Sequence, residues 1–153
     1  DAYDKVFNFL ESSVKKGKKT IFAQQVIFKR VRDEKTLSKT LPSQANYISI
    51  IDKIILNSNN TLSSEKINNF AFQNLLPNSR KMVEKFREDS EKVGAIYLDK
   101  YDFMCNQKQK ICYVVHPLTK KKLIFDHHHW TAEGQKFYGQ KLLESGWLSR
   151  LFE

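Results

Sequence analysis

The stretch Pro77–Asp99, "PNSRKMVEKFREDSEKVGAIYLD", decides the fold class. A proline suits the first turn of a helix, where its missing N–H would have no partner anyway, and Asn78 places a capping-type side chain beside it. Met82, Val83 and Phe86 form an apolar stripe, and the spacing predicts a helix running to about Lys92. Gly94 ends it, and the short apolar run before Asp99 reads as a buried strand. The same order opens the chain. Tyr3, Phe7, Leu10 and Val14 stand at helical spacing, and Gly17 permits a left-handed helix end. Thr20–Ala23 then reads as a second buried strand, extending through Val26 to Phe28. A recurring helix–glycine–strand unit predicts an α/β protein whose parallel sheet is covered by helices. The first unit reads as the second half of a βαβ motif whose leading strand would precede Asp1.

Between these units the chain is less legible. From Arg32 to about Asn69 it is polar and weakly patterned, interrupted by Pro42 and by "NSNNT". The apolar run Ile48–Leu56 fits either a short helix or a strand, and periodicity does not separate the two. After Asp99, Cys105 and Cys112 enclose the polar hexapeptide "NQKQKI". Tyr113–Val115 and Leu123–Phe125 then flank a lysine-rich turn containing Pro117, which predicts a small hairpin. Thr131 caps a final helix, with Glu133 in its first turn, and Gly134, Tyr138 and Leu142 share one face with Phe137 beside them. The tail supplies Trp147, Leu148 and Leu151 to close the core. No internal repeat interrupts the single domain of residues 1–153.

With 153 residues, 41% hydrophobic and 28% charged, the composition is that of a globular domain with a sizeable core. No apolar run reaches the roughly 18 residues a membrane-spanning helix needs. No signal peptide opens the chain, and a start at Asp1 is expected of a mature product or of a piece of something longer. The formal net charge is +9, but only five of the 26 basic residues are arginine. Nucleic-acid readers lean on the bidentate guanidinium, so a nucleic-acid partner is not expected. The lysine clusters, Lys15–Lys16 with Lys18–Lys19 and Lys120–Lys122, read as solvated faces or as attraction to an anionic surface. Cys105 and Cys112 are either unrelated thiols or a disulfide closing the loop, and their spacing is not a zinc motif. With the sequon Asn59-Asn60-Thr61 they lean toward an oxidising, extracytoplasmic setting.

The stretch "DHHHWTAEG", Asp126–Gly134, concentrates the chemistry. One reading is a metal site, in which His127 and His129 share a face of extended backbone and His116 adds a third ligand. Another is a polar loop whose histidines only cap and hydrogen-bond. The third is acid–base chemistry: Asp126 fixes the tautomer of His129, whose other ring nitrogen takes a proton from a nucleophile. Asp99 and Asp102 rank below Asp126 as partners for a histidine. Trp130 reads as a packed anchor more readily than as a lid.

The residues Asp126, His129, Trp130, Thr131 and Gly134 resemble the last block of the SGNH (GDSL-like) hydrolase and acyltransferase superfamily: Asp-x-x-His, an apolar residue, Ser or Thr, and a glycine shortly after. Upstream, "YLDKYDFMC", a hexapeptide, a second cysteine and the hairpin before "LIFDHHHWT" resemble the SGNH domain fused behind membrane acyltransferase-3 domains in nematode and bacterial O-acyltransferases. The specific likeness covers residues 95–145, with residues 100–126 as a cysteine-loop and hairpin insertion.

The resemblance implies a three-layer α/β/α, flavodoxin-like fold with a parallel sheet, and acyl transfer to a hydroxyl through an acyl-serine. His129 would be the general base and Asp126 its orienting partner, with a Cys105–Cys112 disulfide and no cofactor or metal. Its partners would be an acyl donor, a hydroxyl acceptor and a membrane acyltransferase domain in the same polypeptide, with this segment on the extracytoplasmic side. The family carries its serine in a Gly-Asp-Ser turn and an oxyanion asparagine in a later block, and neither occurs here. The expectation is therefore the C-terminal portion of such a domain, inactive by itself. The alternatives are a non-catalytic relic or basic module for anionic surfaces, and a small metal-binding domain built on the histidines.

Overall fold

The computed structural model describes residues 2–23, 26–28, 30–32, 47–57, 62–126 and 128–152. In chain order the elements are α1 (Ala2–Lys15), β1 (Ile21–Ala23), β2 (Arg30–Arg32), β3 (Tyr47–Ser49), α2 (Ile50–Asn57), α3 (Ser64–Gln73), α4 (Pro77–Lys92), β4 (Ile96–Leu98), α5 (Tyr101–Met104), β5 (Cys105–Asn106), β6 (Ile111–Cys112) and α6 (Ala132–Glu144). A 3-10 turn, Trp147–Leu151, follows. No helix among the described residues is long and apolar enough to cross a membrane.

Both helix–glycine–strand units form, and their strands pair. β1 and β4 run parallel, with Ile21 opposite Ile96, Phe22 opposite Tyr97 and Ala23 opposite Leu98. Gly17 and Gly94 end the preceding helices at φ +73° and +74°, a region closed to most side chains. The protein is thus α/β with a small parallel sheet. Helices α1 and α4 cover one face of it, where Phe7, Leu10 and Ala95 are buried and Tyr3, Val14, Phe22, Phe86 and Val93 pack around them.

The other sheet face departs from expectation: β1 is not a buried strand, since its pleat turns only Phe22 toward the helices and leaves Ile21 and Ala23 exposed. In the expected extension, Val26 and Ile27 are not strand, and Phe28 makes only an isolated antiparallel bridge to Leu75. Helix α4 starts from Leu76, whose apolar side chain cannot cap, with Pro77 in the first turn. Among its described side chains the buried ones are Val83 and Ser90, with Phe86 half-buried between them, whereas Met82 is exposed. Those three stand at i, i+3 and i+7, and Met82 lies about 100° round the helix from Val83.

The ambiguous run Ile48–Leu56 holds both answers, a strand to Ser49 and a helix from Ile50. Helix α3 was hidden in the polar stretch. Ser63 caps it by accepting the Lys66 N–H at 3.3 Å, and Ile67 and Ala71 bury one side. Between them lies buried Asn68, whose side chain accepts the N–H groups of Val114 and Val115 and donates to the Val115 carbonyl, all at 2.9–3.0 Å. These bonds tie α3 to the hairpin chain and satisfy backbone groups that burial would otherwise orphan. The sequon Asn59-Asn60-Thr61 lies outside the described residues.

Cys105 and Cys112 face each other across β5 and β6 and are disulfide-bonded, with Cα atoms 4.0 Å apart. Closing so short a loop stabilises the fold by about 2.5 kcal/mol through the unfolded chain's lost entropy. The second hairpin forms through the Val115–Lys122 bridge. Helix α6 then lies against its outgoing strand. A Cβ on Gly134 would sit 1.8 Å from the Leu123 carbonyl oxygen, so only glycine allows this approach, whereas Gly139 faces open space. Gly134→Ala should therefore cost about 2–3 kcal/mol, while Gly139→Ala should be neutral or stabilise by up to about 1 kcal/mol. Urea unfolding of the two variants checks the contrast.

Candidate active site

The loop that carries Asp126 and His129 is built from its two ends. Leu123 and Ile124 are fully buried, and Ile124 pairs antiparallel with Trp130 across the loop. The Phe125 N–H donates to the His129 carbonyl at 2.6 Å, and the Thr131 N–H to the Leu123 carbonyl at 3.0 Å. Thr131 serves twice: its hydroxyl donates to the Lys122 carbonyl at 2.9 Å and accepts the Gly134 N–H at 3.0 Å as the cap of α6. Trp130 packs on Tyr138 and edge-on against Phe103, which makes it the expected anchor. The loop is pinned before any chemistry is asked of it.

Asp126 organises its interior. Oδ1 accepts the backbone N–H groups of His128 and His129, both at 2.9 Å, an arrangement of the kind aspartate favours in turns. Oδ2 meets His129 Nδ1 at 2.7 Å. Partial burial pushes the Asp126 pKa up, but the N–H groups of His129 and His128, and then the His129 ring, outweigh it and hold the carboxyl well below the usual carboxylate range. An ionised carboxylate can only accept, so Nδ1 of His129 carries the proton and the lone pair of the neutral ring lies on Nε2. With 60% of its side chain exposed, the ring is open to a partner. This is the arrangement a general base requires.

The remaining candidates separate clearly. Asp99 is committed elsewhere: Oδ2 accepts from Arg87 at 3.0 Å and Oδ1 from the Tyr101 N–H. His116 is a turn residue whose Nδ1 accepts the N–H groups of Leu118 and Thr119 while its ring meets Phe137 edge-on. It belongs to no ligand group among the described residues, so the metal reading loses its proposed third ligand. His127 lies outside the described residues. His128, which the sequence did not single out, packs its ring at a tilt against His129 with centroids 3.8 Å apart and brings Nδ1 to 3.7 Å from Asp126 Oδ1. Nothing in the sequence distinguishes it from its neighbours, because only the turn of the backbone brings its ring back.

Lys100 was also missed. It follows β4, at the strand end where α/β sheets place their ligands, and its ammonium stands 5.0 Å over the Trp130 ring. Burial lowers its pKa. Two nearby clefts, one lined by Tyr101, Asp102, Phe103 and Lys141 and the other by Arg87, Asp99, Asp102 and Trp147, include neither Asp126 nor His129. Of the dyad, His129 is exposed and Asp126 half-buried.

Compared with protein-family models, with curated proteins and with solved structures, the chain matches none. The site must be read from its own geometry. Asp126→Ala should speed amide exchange at His128 and His129, whose N–H groups lose their acceptor, and should cost about 1–3 kcal/mol in stability. Asp126→Asn, which keeps an acceptor oxygen, should preserve most of the protection in the same hydrogen-exchange measurement.

Proposed function

We propose that the chain is the C-terminal portion of a three-layer α/β/α domain of the SGNH type, and that it contributes the base and its orienting acid to serine-based acyl transfer. The observation that carries this reading is the 2.7 Å contact between Asp126 Oδ2 and His129 Nδ1 in a loop capped by Thr131. The close approach of Gly134 to Leu123 gives the last residue of the Asp-x-x-His-x-Thr-x-x-Gly pattern a physical reason. The parallel β1–β4 pair and the Cys105–Cys112 disulfide agree with the same family's architecture and with an extracytoplasmic setting.

The serine comes from outside the 153 residues. Its hydroxyl proton passes to His129 Nε2 as Oγ bonds to the acyl carbon, and Asp126 stabilises the resulting imidazolium. Collapse of the tetrahedral intermediate breaks the bond to the donor's leaving group, which takes the proton from Nε2. An acceptor hydroxyl then repeats the sequence on the acyl-serine, giving back the serine and an O-acylated product. The polypeptide carrying this domain is fused to a membrane acyltransferase unit that presents the acyl donor.

The test is acyl transfer by the polypeptide that includes the sequence encoded ahead of Asp1. His129→Ala should lower kcat by roughly 10⁶-fold, and Asp126→Asn, which favours the wrong tautomer, by roughly 10⁴-fold. Unchanged turnover in both variants overturns the assignment.

A second reading, attraction to an anionic membrane surface, is favoured by the hairpin tip, where Leu118 is 86% exposed beside the exposed Lys120 and Lys121. It predicts binding to phosphatidylserine vesicles that falls steeply with salt and is weakened by Leu118→Ser. Vesicle co-sedimentation that shows no such dependence removes it.

A further inference from the structure

Asp126, His128 and His129 are unusual among the described residues in a second way. Each offers one donor atom, and the three donors lie within 4.8 Å of one another. Zinc bonded at about 2.0–2.1 Å sets tetrahedral neighbours roughly 3.3 Å apart. His128 Nδ1 and Asp126 Oδ1 are 3.7 Å apart, so a small ring rotation brings both onto one ion. His129 Nδ1 and Asp126 Oδ2 are closer, at 2.7 Å, because a proton bridges them. Exchanging that proton for a larger ion opens the pair by about half an ångström, within reach of a half-exposed loop. Both imidazoles are on one short turn whose backbone the carboxylate already holds. Two imidazoles with one carboxylate suit zinc, copper(II) or nickel rather than magnesium or calcium, which prefer oxygen.

We propose that Asp126, His128 and His129 bind a divalent transition-metal ion, foremost zinc, and that the bound ion moves the His129 proton from Nδ1 to Nε2. The chemistry balances without redox change: the metal takes the Nδ1 lone pair, the proton leaving Nδ1 is replaced by one at Nε2, and the ring stays neutral. The regulatory consequence rests on the acyl-transfer reading above. A ring protonated at Nε2 has no lone pair for the serine proton, so zinc switches the base off. Binding and the tautomer change themselves require no activity.

Zinc chloride titration of the chain in a non-chelating buffer, followed calorimetrically, tests the site. One ion should bind per chain. Losing even an outer-shell partner of a metal costs about ten- to a hundredfold in affinity, so His128→Gln, His129→Gln and Asp126→Asn should each weaken binding by at least about tenfold. His116→Gln should not change it. Imidazole nitrogen NMR should place the His129 proton on Nδ1 without metal and on Nε2 with zinc. Wild-type affinity in His128→Gln, or a His129 proton that stays on Nδ1 at saturating zinc, overturns the proposal; the conservative glutamine variant keeps the loop's polarity, and its circular dichroism reports whether it has folded. Zinc binding of this kind without acyl transfer by the longer polypeptide defeats only the functional reading. Acyl transfer without zinc binding defeats only the metal site.

Discussion

The contact on which the site depends is backbone against backbone. Helix α6 approaches the Leu123 carbonyl so closely at Gly134 that no other side chain fits between them. Thr131 locks that approach by donating its hydroxyl to the Lys122 carbonyl and accepting the Gly134 N–H. The helix and the strand are thereby held at a fixed separation, and the Phe125 N–H meets the His129 carbonyl between them. Asp126 occupies the interior of that turn, where two N–H groups need an acceptor. Its second oxygen is left to face the His129 ring. The dyad is a consequence of how the loop is closed.

The same economy lets one loop be proposed for two chemistries. A carboxylate that fixes the backbone also fixes every ring attached to it, so His128 and His129 converge although they are adjacent in sequence. With a proton between Asp126 and His129 the pair is arranged as a base and its orienting acid. With a metal ion in that place, the same atoms form a ligand set and the base is occupied. Under the two proposals above, a proton and a metal ion would compete for the one position between Oδ2 and Nδ1.

Much of the framework was legible without coordinates because its signals are local. Gly17 and Gly94 mark the ends of α1 and α4, and the short apolar runs behind them became the paired strands β1 and β4. The Thr131 cap and the buried face through Gly134 and Tyr138 were equally plain. The errors share a different cause. Met82 lost its place in the buried stripe because packing selects one set of i, i+3, i+7 positions among several that composition allows. Helix α3 escaped notice because a central buried residue is Asn68, whose polarity hides the apolar period; its three hydrogen bonds to the Val114–Val115 backbone appear only once the hairpin is beside it. β1 turned out half-exposed because burial depends on what covers each sheet face, and a strand's own residues do not state that.

The sequence by itself determined the α/β order, the helix ends, the pairing of Cys105 with Cys112 as one of two readings, and Asp126 with His129 as the foremost candidates. These follow from backbone preferences and from chemistry carried by residues three or seven apart in the chain. Only the tertiary structure decided that Asp126 points both oxygens inward, that His128 folds back toward it, that His116 is spent on its own turn, and that Lys100 rests over Trp130. The reason is geometric. The direction of a side chain in a loop is set by the hydrogen bonds that close the loop, and here those bonds come from Leu123, Thr131 and Gly134, whose joint effect exists only when helix and strand are packed together.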